Sequence, residues 1–221
     1  MKTKLCYSIL TIFIIFSIVL CSCSGDDSKT SDDENAIRDC WTLYKDSILD
    51  RDGITAITCV SSSTLDYYGE MKDIALTGDE SEVKNLSIAN MLMVLMLRHL
   101  VDPDELATMT SEDLIIYAID RGWIGEDSVV NSEIGKITIS NNRAFAVYLM
   151  GGEETSLRYE FVLENDQWKF DLASLIPITN TALRETLEAN GINEHEFIFL
   201  TLESISGIKV SDDIWQPLVV Q

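Results

Sequence analysis

The most regular feature of the chain is a two-residue alternation. Four runs, 133–140, 143–150, 155–164 and 167–172, alternate apolar and polar side chains and are separated by turn-forming residues. Asn141-Asn142 and Asn165-Asp166 suit two-residue hairpins that need positive φ, and 151–154 reads as a looser turn. The pairings these turns impose agree with one another. Across the first turn Ile139 faces Ala144 and Ile137 faces Ala146. Across the second, Tyr148 faces Leu157, Ala146 faces Tyr159 and Ala144 faces Phe161. Across the third, Leu163 faces Trp168 and Phe161 faces Phe170. One face therefore gathers Ile137, Ile139, Ala144, Ala146, Tyr148, Leu157, Tyr159, Phe161, Leu163, Trp168, Phe170 and Leu172. The other carries Lys136, Thr138, Arg158, Glu160, Glu164, Lys169 and Asp171, with Phe145, Val147 and Leu149 on the second strand. A slip of one residue in any turn would scatter the apolar set. The pattern predicts a four-stranded antiparallel meander with one face buried by helices.

The flanking regions follow the helical period. Ile37, Trp41, Tyr44 and Ile48 form one stripe over 35–50, and Arg51-Asp52-Gly53 breaks it. A second helical segment runs over 54–60, and the serines at 61–63 offer a cap for a third carrying Leu65, Tyr68 and Ala75. Helices joined at Gly53 run antiparallel, which brings Cys40 and Cys59 to similar heights. Residues 82–100 read as one long helix whose centre, 91–97, is apolar all round. That centre suits the most buried helix; its methionines offer a second use, as an adaptable binding wall. Asp102-Pro103 ends it. Thr110 or Ser111 caps another helix that stops at Gly122. After the sheet, 175–190 and 193–206 read as helices closed by Gly191 and Gly207.

The expected fold class is thus α+β: N-terminal helices (35–121) packed on a four-stranded antiparallel meander sheet (133–172), with a C-terminal helical extension (175–221), all in one domain over 35–221. Lys2 and Lys4 followed by an apolar run over 5–20 form a secretory leader, too short for a spanning helix of ~20 residues. Residues 23–34 hold almost only Ser, Asp, Glu and other polar residues and are expected to be a disordered acidic tether.

Leu20-Cys21-Ser22-Cys23 resembles the bacterial lipobox, and the acids after Ser24 resemble the export tether of Bacteroidetes lipoproteins. The resemblance implies cleavage after residue 22, a diacylglyceryl thioether on Cys23, and residence in the cell envelope as an outer-membrane lipoprotein, surface-exposed in the Bacteroidetes case. Several acyl chains hold such an anchor firmly, at ~0.8 kcal/mol per buried methylene. In that oxidising setting Cys40 and Cys59 are a candidate disulfide, closing a loop of about 20 residues worth roughly 3 kcal/mol; a pair of buried free thiols is the other reading.

N-terminal helices, a kink and then an antiparallel sheet resemble the cone fold of nuclear transport factor 2 and the SnoaL-like proteins. The residues that carry this are Trp41 and Tyr44, the Asp52-Gly53 break, 64–68, and the closing 167–172 run. The resemblance implies an apolar pocket enclosed between sheet and helices. Tyr148, Tyr159, Phe161 and Trp168 are its lining candidates. The helical tail and the 82–100 helix depart from the simplest such proteins.

Composition narrows the function classes. The formal net charge of −21 argues against nucleic acid as a partner, since phosphate neutralisation needs a Lys/Arg surplus. No nucleotide-binding glycine pattern, serine-hydrolase elbow or Cys-x-x-Cys pair is present, so no cofactor or metal is expected. The two histidines, His99 and His195, are far apart in sequence, and the acids at 102–113 lack calcium-loop spacing. Asp46-Ser47-Ile48 and Asp127-Ser128-Val129 resemble Asp-Ser-aliphatic glycosylation acceptors. Two functions follow: a lipid-anchored, non-enzymatic module binding a small apolar ligand or an envelope protein, or an isomerase or dehydratase acting in the cone. Cys23→Ala is expected to release the protein from membranes and to abolish labelling by a fatty-acid analogue; unchanged membrane retention in fractionation contradicts the anchor.

Overall fold

The computed structural model describes residues 24–218, and side chains from residue 30 onward; the leader and Cys23 lie outside the described residues. Helix α1 (Ser24–Asp50) is followed by α2 (Gly53–Ile57) and α3 (Ser62–Thr77). Next come α4 (Glu80–Lys84), α5 (Ile88–Leu100), α6 (Pro103–Thr108) and α7 (Ser111–Asp120). Strands β1 (Ser132–Ser140), β2 (Arg143–Met150), β3 (Glu153–Glu164) and β4 (Gln167–Phe170) form one antiparallel sheet in chain order. Helices α8 (Ile176–Asn190) and α9 (Glu194–Ser206) close the chain, each ending on a glycine in the left-handed region. The architecture is α+β, as the alternation predicts.

The register agrees with the sequence pairing over most of the sheet. Ile139 opposes Ala144, Ile137 opposes Ala146, Ala146 opposes Tyr159, Ala144 opposes Phe161, and Leu163 opposes Trp168. Two irregularities are new. A bulge lies between Ile134 and Ile137 on β1, and the pairing shifts near the second turn, so that Leu149 opposes Glu154. That turn is tighter than expected because Gly151 and Gly152 both take positive φ. Asn165 and Asp166 also both have positive φ, the demand of a type I′ hairpin, whereas at the first turn only Asn141 does.

The buried face of the sheet meets α1. Trp41 lies 4.9 Å from Tyr159 and 5.4 Å from Phe170, and Tyr44 lies 5.3 Å from Phe170, ring centre to ring centre. Such ring pairs add about 0.5–1.5 kcal/mol each beyond area burial. The chain then engages part of each rim of the sheet. At β4 the segment after α2 pairs in parallel, with Phe170 N donating to Cys59 O and Ser61 N to Phe170 O. At β1 Arg38 donates to the carbonyls of Ile134 and Gly135, and Lys45 to that of Ser132.

Three expected elements differ. The acidic stretch read as an unstructured tether is described from Ser24 as the start of α1. Extending a formed helix is cheaper than nucleating one, and Asp33 accepts the Trp168 indole N–H at 3.0 Å. The helix read over 82–100 is two helices, because Ser87 caps α5 and Asp79 caps α4. Leu172 leaves the strand and begins a short 3-10 turn.

A second core surrounds α5, drawing on α3, α7, α8, α9 and the tail. Its polar centre is Arg98, only 7% exposed. The guanidinium donates to the carbonyls of Ala75 at 2.8 Å, Ile74 and Ile214 at 3.1 Å and Gly78 at 2.5 Å. It thereby satisfies the carboxyl end of α3 and fastens the tail to it. Trp215 of the tail stacks on Phe199, with Lys84 above its ring. Arg98→Met keeps the apolar stem and removes all four bonds. Urea unfolding is expected to show a loss of about 3 kcal/mol, since buried carbonyls lose their donor at ~1–3 kcal/mol each with partial relaxation.

Candidate functional site

The helical half contains an apolar pocket of about 200 Å3, lined by Tyr68 of α3, Met93, Met96 and Leu97 of α5, Leu114 and Ala118 of α7, and Trp123 and Ile124. Helical spacing puts these residues together. Met93 lies one turn from Met96 and Leu97, and Leu114 one turn from Ala118. The opposite side of α5 points Met91, Val94 and Leu95 into the core, where each is essentially fully buried. The apolar centre of α5, 91–97, thus serves both as core and as wall, the two uses that its methionines offer.

Beyond α7, Gly122 takes φ +73° and lets the backbone turn back on the helix. Gly122 N donates to Ile119 O and Trp123 N to Ala118 O, both at 2.8 Å. This fold-back sets Trp123 and Ile124 over the pocket. The Trp123 ring stands edge-on to Tyr117 at 5.4 Å, and Arg121 lies over the other aromatic partner, Tyr117, at 4.7 Å. A close approach supports the same corner from behind. A Cβ on Gly53 would come within 2.7 Å of the Ile116 backbone, so α2 packs directly on α7, and Gly53 N donates to Asp120.

The lining holds no carboxylate, imidazole, thiol or charged group. The polar side-chain groups that its lining residues carry are the Tyr68 hydroxyl and the Trp123 indole N–H. Burial pushes the Tyr68 phenol up to about 12, so it is a neutral hydrogen-bonding group at any physiological pH. Water inside such a site finds few partners, and an apolar guest displaces it favourably.

The pocket is not where the sequence put one. Tyr148, Tyr159, Phe161 and Trp168, expected to line a cone between sheet and helices, are all buried in a filled aromatic layer. Tyr148 and Tyr159 are 4.8 Å apart, Phe161 and Phe170 5.2 Å. The Tyr148 hydroxyl is hydrogen-bonded to Ser132 at 3.0 Å, and the Trp168 indole is taken by Asp33. The large rings of α1 occupy the space that a cavity would need.

Asp171, read as solvent-facing, is buried. The chain leaves the strand there, and the carboxylate accepts from Ser61 at 3.2 Å and Thr64 at 3.1 Å at the start of α3. Those hydroxyls pin α3 to the sheet. A shallow groove beside β1 contains Arg38 and Lys45, but both cations are engaged with backbone carbonyls. His99 meets Ser206, and His195 stacks near Trp215, so the histidines stand at separate places. Ser47 is buried and donates to Leu43 O; Ser128 lies in an exposed turn.

Cys40 and Cys59 are neighbours, as the antiparallel geometry predicts, but they are free thiols 4.1 Å apart rather than the candidate disulfide. A bond would need ~2.05 Å. The Cys40 thiol donates to Cys59 O at 3.7 Å, and Thr58 Oγ1 lies 3.8 Å from the Cys59 sulfur. The neighbouring Cys40 thiol, with help from Thr58 and the charge of Lys169, holds the Cys59 thiol below its usual range against the cost of burial. The pairing with the Cys59 thiol, together with burial, pushes Cys40 up.

No protein-family model, curated protein or solved structure matches this chain.

The thiol asymmetry has a direct readout. Iodoacetamide applied to the folded protein is expected to modify Cys59 before Cys40. Its rate should rise with pH as the thiolate forms, at a pH below that of an ordinary thiol, and Lys169→Met should move that rise upward. Peptide mass spectrometry against pH checks the order and the midpoint.

Proposed function

We propose that this protein is a lipid-anchored envelope module that binds a small apolar molecule, without transforming it, between α3, α5 and α7. The observation that carries the reading is the pocket itself: a preformed space walled by two methionines, a tryptophan, a tyrosine and aliphatic side chains. Apolar cavities of roughly 150 Å3 accept benzene, so this one suits a guest of one ring or a short chain. Methionine walls adjust to a guest's outline at little cost. A neutral binding site matches the lining, which offers no base, acid or nucleophile to a substrate.

The lipobox-like Leu20-Cys21-Ser22-Cys23 supports the anchor. Anchored by acyl chains, the acidic body stays at the membrane surface while its own charge opposes close approach to anionic headgroups. The partners in this reading are the membrane, through Cys23, and the small ligand.

Ethylbenzene is expected to bind with a Kd on the order of 0.1–1 mM, the range open to a guest of so few atoms. Binding should raise the melting temperature with ligand concentration. Ala118→Leu, which fills the pocket, should abolish that rise while preserving the circular dichroism spectrum. Met96→Ala, which enlarges the pocket, should retain it. No rise with the unmodified protein would sink the reading.

A further inference from the structure

The pocket distinguishes ligands by a single polar feature. Tyr68 is the only lining residue that carries an oxygen on its side chain. Among the described residues its hydroxyl makes no hydrogen bond, whereas the adjacent Tyr67 hydroxyl is held by Asn90 at 3.0 Å. A hydrocarbon guest leaves the hydroxyl without a partner, at a cost of ~1–3 kcal/mol. A guest that brings an acceptor oxygen restores the bond. The indole N–H of Trp123 is a donor as well, so both polar groups on the wall favour an acceptor.

Charge limits the guest further. The lining contains no group that could pair with an ion, and an unpaired ion in an apolar site is strongly disfavoured. The protein's net charge of −21 repels anions before they arrive. Volume sets the size, since about 200 Å3 holds one ring with a short substituent.

We infer that the ligand class is a neutral, single-ring molecule bearing one carbonyl or hydroxyl oxygen, which accepts a hydrogen bond from the Tyr68 hydroxyl. This rests on the pocket being the binding site. Tyr68 supplies selectivity, and the methionines and Trp123 supply the apolar enclosure.

Acetophenone and ethylbenzene have nearly the same outline and differ in the oxygen. Titration of the full-length protein with each gives a ratio of dissociation constants, which removes the contribution shared by both. Tyr68→Phe is expected to shift that ratio by about five- to tenfold against acetophenone, the weight of one neutral hydrogen bond. The infrared carbonyl stretch of bound acetophenone should lie at lower frequency in the unmodified protein than in Tyr68→Phe. Binding of both compounds with an unchanged ratio and an unshifted carbonyl stretch overturns the selectivity while leaving the pocket as the site. Binding of neither compound overturns the pocket reading and, with it, this one.

Discussion

Trp41 and Tyr44 fix the depth at which the sheet sits on the helices. They lie about one turn apart on α1 and meet Tyr159 and Phe170 through close ring contacts. Large flat side chains fill an interface with few rotamers, so this contact leaves little freedom to slide. The rest of the N-terminal half follows from it. With β4 held against α1, the backbone after α2 reaches the rim of the sheet and pairs there. Asp171 then receives the first hydroxyls of α3. The direction of α3, and so the position of everything packed on it, is inherited from the aromatic layer.

The second core closes by different means. It is aliphatic and methionine-rich, and its buried cation, Arg98, makes four hydrogen bonds to backbone carbonyls. Burying an unpaired guanidinium is costly, and carbonyls at a helix end are among the few groups that can compensate it without an acid. Tyr68 packs against both cores. The pocket lies at this seam, where neither core's side chains reach far enough to fill the space and Ala118 contributes only a methyl group. Independent packing of two halves is the physical origin of the cavity.

The sheet was legible in the sequence because alternation over three short turns is overdetermined: each turn tests the register of the others. The Asn165-Asp166 hairpin and the glycines ending α8 and α9 were legible for a similar reason, since few residues tolerate positive φ. What could not be read was long-range. The bulge in β1 depends on Arg38, roughly a hundred residues earlier in the chain, accepting the task of satisfying two carbonyls. The α4–α5 break is hard to read because the helical period of apolar positions runs on through Val83, Leu86 and Ile88, and only the Ser87 cap marks it. The pocket was sought against the sheet on the strength of a fold resemblance. Periodicity shows which residues share a face; it says nothing about whether the facing helix carries tryptophan or alanine. Only the methionine spacing in 91–97 pointed toward the wall that exists.

The engaged stretches of the sheet's two rims bear on how copies behave when crowded. An open strand edge invites a neighbour's strand to add to it. Here Arg38 and Lys45 occupy the carbonyls along the bulged end of β1, and the chain's own segment before α3 occupies β4. At these positions a neighbouring copy's strand finds the backbone already engaged, so the sheet is less open to edge-to-edge extension there.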